Sequence, residues 1–415
     1  MATQASAITF LSAPGLAFSS GMAFVQFYFG LPLAMIVLCV TFVPIFHKLK
    51  IYTAYEFLEN RFDLKTRALT AFLFLVQRGL STGISIYAAS IILSTVLNID
   101  TTFTTVFIGT LVIIYTVYGG TKAVSYTQLL QMSVIFGGLF IAGVVVVQLL
   151  PENVGFGKAL QIAGKMGRTN AIDFKFDWNN QYTVWSGLIG GFFLQLSYFG
   201  TDQSQVGRYL TGSSVSQSRL GLLMNGLVKI PMQFLILLIG VLVFTFYQYH
   251  QPPVFFNRYE LGKLEKSQYA PELNRIKSDY ADAFKSKQLE VKRLEVALDA
   301  NDENAINSQR VILQAADEKT KAIRKEAVDL MVKNDPEADT NDNNYVFLSF
   351  VTRYLPEGLI GLLIAIVFMA SMGSTAGALN SLASTSVIDI YKRLINKQAS
   401  DEKYLSVSRW STVIW

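Results

Sequence analysis

Cysteine is nearly absent from this chain: Cys39 is the only one in 415 residues. That excludes an intrachain disulfide framework and a cysteine-based zinc site. Histidine is almost as scarce. His47 and His250 lie far apart and belong to no ligand pattern, so neither is expected to hold a metal. Charge is sparse too, at 16% of residues against 51% hydrophobic. The net charge of +5 comes without a basic stripe interleaved with aromatics, so nucleic acid is not an expected partner. No phosphate-binding GxxxxGK(S/T) loop, no HExxH, no GxSxG and no paired carboxylates occur in the apolar stretches. An ATPase or a hydrolytic enzyme is therefore not expected. Met1 is followed by no basic n-region, so no signal peptide is expected.

What the chain does have is long apolar runs. A bilayer core of about 30 Å needs about 20 residues of helix. Candidate spans cover 2–18, 24–46, 68–97, 104–118, 129–150, 184–198, 220–247 and 359–379, and a ninth starts near Val407. Backbone groups in lipid must pair within their own segment, so these are read as helices. The fold class expected is an all-α polytopic membrane protein. Both ends of the chain read as interrupted helices.

Basic residues cluster in alternate loops. Lys48, Lys50, Arg61, Lys65 and Arg67 follow the second span. Lys122 lies between the fourth and fifth. Arg208 and Arg219 lie between the sixth and seventh, and Lys392, Arg393, Lys397 and Lys403 follow the eighth. The positive-inside rule places these loops in the cytoplasm. The chain then divides into helices one to seven (1–256), a charged extracytoplasmic insertion (257–342), and helix eight with the start of a ninth (343–415). In the insertion, Ile276, Tyr280, Ala283, Leu294 and Leu298 follow helical spacing, as do Ile312, Ala316, Ile323, Ala327 and Leu330. Pro271 suits a helix start, and Asn301 with Asp302 breaks the run. A helical hairpin is expected there, a short antiparallel coiled coil that could meet a protein partner.

Two segments carry candidate chemistry. The first, ATQASAITFLSAPG, mixes hydroxyl and small residues with Pro14 and Gly15. Such residues let a helix unwind at membrane depth, and freed carbonyls can hold Na⁺. The eighth carries the hydroxyls Ser371, Ser374, Thr375, Ser381 and Ser384. Carbonyls with one or two hydroxyls make a weak, reversible site for a hard monovalent cation. Lys229 and Arg78 are ionisable residues inside apolar segments, where such groups are costly and mark function unless the stem snorkels to the interface, a reading that for Arg78 weighs evenly with function.

Four stretches then resemble the sodium:solute symporter family: YTAYEFLENRF, YGGTKAVSYTQLLQ, SYFGTDQSQVGRYL and LNSLASTSVIDIYKR. Their order and spacing match along nearly the whole chain. The resemblance implies a LeuT-type fold of inverted repeats, here with an incomplete second repeat. It implies Na⁺ as coupling ion, held by the carbonyls of Ala2, Ala5 and Ala370 and the hydroxyl of Ser374. Gly373 stands where the family usually has a second hydroxyl, which leaves a weaker site, one that recruits Thr375, or one completed by water. Ser6 and Thr9 match positions that hold a substrate carboxylate in sialic-acid-like members. Gln195, Tyr198 and Lys229 match cavity or gate positions, with Tyr28 beside them and Arg78 as a second cation. Tyr28 and Leu31 replace polar sugar contacts, which disfavours a sugar. Gln128 replaces an Asp of the family motif. The function so implied is Na⁺-driven import of a small organic solute, with an anion such as a carboxylate or sialic acid favoured. The alternative is a transporter-like membrane sensor.

Overall fold

In the computed structural model, residue 4 and residues 7–97 and 99–415 are described, and among them every regular element is helical. Ala2, Ala5 and Ser6 lie outside the described residues. Helix α1 (Ala7–Ser20) is followed by a 3₁₀ segment (Met22–Tyr28), α2 (Leu31–Val40), α3 (Phe42–Leu49), α4 (Ala54–Arg61), α5 (Leu64–Leu97) and α6 (Thr101–Gln148). Then come α7 (Phe156–Lys165), a π segment (Ser186–Gly190), α8 (Gly191–Thr201), α9 (Gln203–Leu210) and α10 (Val215–Tyr249). The insertion forms α11 (Arg258–Glu265), α12 (Ala270–Asp299) and α13 (Glu303–Asn334). The chain continues as α14 (Asn343–Tyr354), α15 (Glu357–Thr385), a π segment (Ser386–Ile395) and α16 (Asp401–Ile414).

Six stretches are long and apolar enough to cross a membrane. The apolar run at 184–198 is not among them: it is split into a π turn and the 11-residue α8. Helix α1, 14 residues with Pro14 inside it, is also too short to be counted. These two short elements carry Thr9, Gln195 and Tyr198. Helix α1 is wedged between α10 and α14. A side chain on Gly240 would strike the Pro14 carbonyl, and one on Gly15 the Asn343 carbonyl.

One span boundary departs from the sequence expectation. The sequence places a loop around Lys122 between the fourth and fifth spans, but one helix, α6, carries both stretches. The connecting residues contain no proline, and each glycine there costs only about 1 kcal/mol against alanine. Nothing local forces the chain out of the helix, so Lys122 no longer belongs to the alternation of basic loops.

The hairpin forms with the expected turn. Asn301 takes φ 51° and the Asp302 side chain caps α13 by accepting from the Asn304 and Ala305 amides. In its second helix Ile323, Ala327 and Leu330 are buried as expected, but Ile312 is exposed and Leu313 is buried in its place. Ile306, Leu313, Thr320 and Ala327 are buried at a seven-residue interval, and that heptad sets the inward face. Nor is the hairpin a free-standing coiled coil. Val291, Leu294, Ala297, Ile306 and Leu313 join the same apolar cluster as Phe10, Phe18, Tyr247 and Phe347. Lys158 pairs with Asp299 at 2.7 Å, and Arg324 with Asp342 at 2.7 Å.

Asp317 faces inward because cations meet it there: Lys287 at 2.6 Å, Lys321 at 3.0 Å and Arg168 at 4.0 Å. Burial alone would raise its carboxyl, but Lys287 and Lys321 hold it below the ordinary carboxylate value. A depressed folded pKa gives stability that is present above the unfolded value and lost as pH falls through the folded one. Asp317→Asn is expected to loosen the hairpin by about 3–5 kcal/mol at neutral pH, because it strands buried Lys287. Limited proteolysis within α12 and α13 should accelerate accordingly, and acidification below about pH 4 should speed cleavage of the unsubstituted chain by a larger factor than that of the variant. Equal cleavage rates at neutral pH would refute the role of this pair.

Candidate functional site

Lys229 is 1% exposed, deep in α10. Its ammonium stands 5.5 Å from the Tyr28 ring centroid. Among the described residues it has no ion-pair or hydrogen-bond partner. Beside it opens a cavity of about 260 Å³ lined by Gln4, Tyr28, Leu194, Gln195, Tyr198 and Lys229. Four residues singled out in the sequence thus meet in one place: Tyr28 from the 3₁₀ segment, Gln195 and Tyr198 from one face of α8, and Lys229 from α10. Gln4 and Leu194 are added to them.

Arg78 does not line this cavity. It ion-pairs with Asp202 and stands over the Tyr198 ring at 5.6 Å. Asp202 breaks the chain between α8 and α9 and caps α9 through Ser204. Gln205 donates to the Tyr198 hydroxyl at 3.0 Å. Arg78 therefore positions Tyr198. Thr9, on α1, is also absent from the lining.

Sequence reasoning missed two carboxamides. Asn225 and Gln233 lie one helical turn on either side of Lys229, so they share its face. Both are buried with neither amide atom hydrogen-bonded. The Gln195 and Gln4 amide oxygens are likewise unpartnered. The available signal was polar residues at four-residue spacing within an apolar segment.

The second candidate region lies on α15. Ala370 is buried, and Ser374 donates to the Ser371 carbonyl at 3.0 Å. That leaves the lone pairs of the Ser374 oxygen free to meet a cation. The hydroxyls of Ser371 and Thr375 are buried without partners. This donor set is neutral oxygen, suited to a weakly held hard cation. Among the described residues no cluster of His, Cys, Asp or Glu could hold a metal. Helix α6 packs here: Gln128 donates to the Gly373 carbonyl at 2.9 Å.

Three of the stretches that carry the resemblance meet around Arg67 and Gln203. Arg67 bridges Glu59 at 2.5 Å and Asp389 at 2.7 Å, and Thr53 also donates to Asp389 at 2.7 Å. Arg393 meets Glu59 at 2.9 Å. Gln203 accepts from the Ala54 amide at 3.1 Å and donates to the Tyr52 carbonyl at 2.9 Å. Three of the four sequence stretches are thereby tied together. Desolvation alone would raise the Glu59 carboxyl, but Arg67 and Arg393 prevail and hold it below its ordinary value.

The model of the "Sodium:solute symporter family" matches residues 1–257 and 331–415, leaving most of the hairpin unmatched. The human sodium/iodide cotransporter is 31% identical over 242 residues, which cover 58% of this chain and 37% of that protein. Human sodium-coupled monocarboxylate transporter 1 is 34% identical over 220 residues, covering 53% of this chain and 36% of that one. The chain thus spans little more than a third of the length of these relatives. A solved Na⁺-coupled sialic acid symporter in a substrate-bound, outward-open state aligns over all of this chain and 70% of its own, with TM-score 0.71 and 22% identity. That likeness shows the fold, a LeuT-type helical bundle.

Proposed function

The chain belongs to the sodium:solute symporter family, and on that premise we propose that it takes part in Na⁺-coupled import of a small organic anion bound beside Lys229. The observation that carries this reading is the cavity with a buried ammonium and, among the described residues, no carboxylate to neutralise it. A cation held at membrane depth is costly unless a counter-charge arrives, and a solute carboxylate supplies one. The Tyr28 and Tyr198 rings and Leu194 give the apolar walls, and the Gln4 and Gln195 amides give directional contacts. A volume of about 260 Å³ lies just below the usual span of small-molecule sites, roughly 300 to 1,000 Å³. A short carboxylate suits it better than a sugar acid.

Na⁺ sits, on this reading, against the Ala370 carbonyl and the Ser374 hydroxyl, with Thr375 beside them and Ala2 and Ala5 contributing carbonyls. Ser6, outside the described residues, and Thr9 are carried over from the family resemblance as contacts of a solute carboxylate. One Na⁺ moving down about 100 mV releases roughly 2.3 kcal/mol. A tenfold gradient adds about 1.4 kcal/mol, together enough for accumulation of several hundredfold. The basic end of the bundle faces the cytoplasm by the positive-inside rule, which puts the hairpin outside.

The test is uptake of labelled short monocarboxylates, iodide, sialic acid, amino acids and sugars into proteoliposomes with and without an inward Na⁺ gradient. Na⁺-driven uptake of a small anion is expected. Ser374→Ala should raise the Na⁺ concentration for half-maximal uptake by roughly tenfold or more, the scale of one lost contact to a charged group. Uptake that ignores both the gradient and Ser374 would refute the reading.

A further inference from the structure

The chain between α7 and the π segment at 186–190 carries an alternating run. Ile172, Phe174, Phe176 and Trp178 are apolar, and Asp173, Lys175 and Asp177 between them are polar. In extended chain such alternation puts the apolar side chains on one face. The Phe176 and Trp178 rings do meet, edge to face at 5.0 Å. All four apolar side chains are nevertheless exposed, and Trp178 is 89% exposed. Single exposed apolar residues are ordinary, but four large ones in one short loop mark an interaction surface.

The loop is built to hold this face out. Gln26, fully buried in the 3₁₀ segment, grips both limbs: its side chain accepts from the Asp173 amide at 2.8 Å and donates to the Tyr182 carbonyl at 2.9 Å. The Val184 amide donates to the Asp173 carbonyl at 2.9 Å and closes the base. At the tip the Asp177 side chain accepts from the Asn179 amide at 2.9 Å, which fixes the turn beside Trp178. The Tyr182 ring meets Phe24 at 5.5 Å, and Phe24 meets Tyr28 at 5.9 Å, so the base is also joined to the segment that carries Tyr28. Rings held out by so fixed a base gain free energy only where a second surface removes them from water.

The neighbouring residues identify that surface. Trp185, Ile189 and Phe193 stand exposed at four-residue steps along the π segment and α8. On a membrane-spanning bundle such a stripe faces lipid, with its aromatic end at the headgroups. The Trp185 indole nitrogen donates to the Phe174 carbonyl at 3.0 Å, so the loop continues the stripe past the end of α8. Arg168, just ahead of the loop, reaches Asp317 of the hairpin at 4.0 Å, which puts the loop on the hairpin's side of the bundle.

We propose that the loop 172–184 is an interfacial anchor: Phe174, Phe176 and Trp178 enter the headgroup layer of the leaflet on the hairpin's side. There an indole ring leaves water while its N–H stays wet. The polar residues between the rings are two carboxylates and one ammonium, so the anchor holds by its rings and needs no anionic lipid.

The test reads Trp178 fluorescence in the intact protein reconstituted into phosphatidylcholine vesicles. The chain has four tryptophans, so the Trp178 signal is the difference between the unsubstituted protein and Trp178→Phe, a change at an exposed site that leaves the fold intact. Lipid brominated near the top of its acyl chains is expected to quench most of that signal, and aqueous acrylamide little of it. Phe174→Ser combined with Phe176→Ser should reverse the order and raise acrylamide quenching severalfold, because too little apolar surface then remains to hold the tip in lipid. Strong acrylamide quenching of the unsubstituted protein, with none by brominated lipid, overturns the anchor. A Trp178 shielded from both quenchers overturns it in favour of a protein contact, such as a second copy of this chain. Quenching by brominated lipid that survives the double substitution overturns the joint insertion of the three rings.

Discussion

Replacing Lys229 by methionine is expected to weaken binding of the anionic solute by roughly 2–5 kcal/mol, the range for losing one partner of a buried charge pair. That corresponds to at least about thirtyfold in affinity, at 1.4 kcal/mol per tenfold. The same substitution should leave the empty protein as stable as before or more so. In the solute-free chain, Lys229 is 1% exposed, and among the described residues nothing neutralises it. Removing an uncompensated buried charge relieves its desolvation cost, and methionine fills similar volume beside Tyr28. The two effects have opposite signs, which separates a binding role from a structural one. Solute binding by scintillation proximity reads the first, and thermal unfolding in the same detergent reads the second. Na⁺ binding in the absence of solute should hardly change. A Lys229→Met protein that binds the anion normally would remove the counter-charge from the proposal, whatever its stability.

Arg67→Ala is expected to destabilise the folded protein by about 3–5 kcal/mol, because it strands a buried carboxylate. Asp389 is fully buried, and Arg67 and Thr53 both donate to it. Even Arg67→Lys should be costly. The guanidinium reaches Asp389 through Nε and Glu59 through Nη1, a fork that a single ammonium does not reproduce. Replacing both members, as Arg67→Met with Asp389→Leu, should cost less than Arg67→Ala alone, since a buried pair exchanged for apolar groups is often neutral. The thermal unfolding midpoint reads all three variants. A midpoint unmoved by Arg67→Ala would mean that Arg67 does not hold the stretches 52–62 and 379–393 together.

Arg67 also shows why part of the site stays hidden in the sequence. Read alone, it is one more cation in a basic loop and counts toward orientation. Its partner Asp389 lies 322 positions away, and no local spacing links them. Gln128 and Gly373, 245 positions apart, are two separate departures from the family pattern when read along the chain. In three dimensions they are one contact. Arg78 reads from the sequence as a cavity cation, yet its pairing with Asp202 turns it into a support for Tyr198. Ile312 and Leu313 differ by one step along a helix, and either fits an apolar repeat. Docking onto the bundle selects Leu313.

The sequence by itself determined the properties that composition along the chain dictates: that the chain is helical, which stretches are apolar enough for lipid, where the hairpin starts and turns, and that Lys229 sits at unusual depth. These properties are local. Hydrophobic length, glycine and proline positions and caps act within a few turns and need no distant partner. Only the tertiary structure decided that Tyr28, Gln195, Tyr198 and Lys229 share a cavity, that Arg67 joins two of the motifs through ion pairs while Gln203 hydrogen-bonds the third to them, and that the hairpin belongs to the core. Those outcomes depend on which helix faces meet. That choice is set by packing and by the pairing of buried polar groups across hundreds of residues, to which no sequence period corresponds.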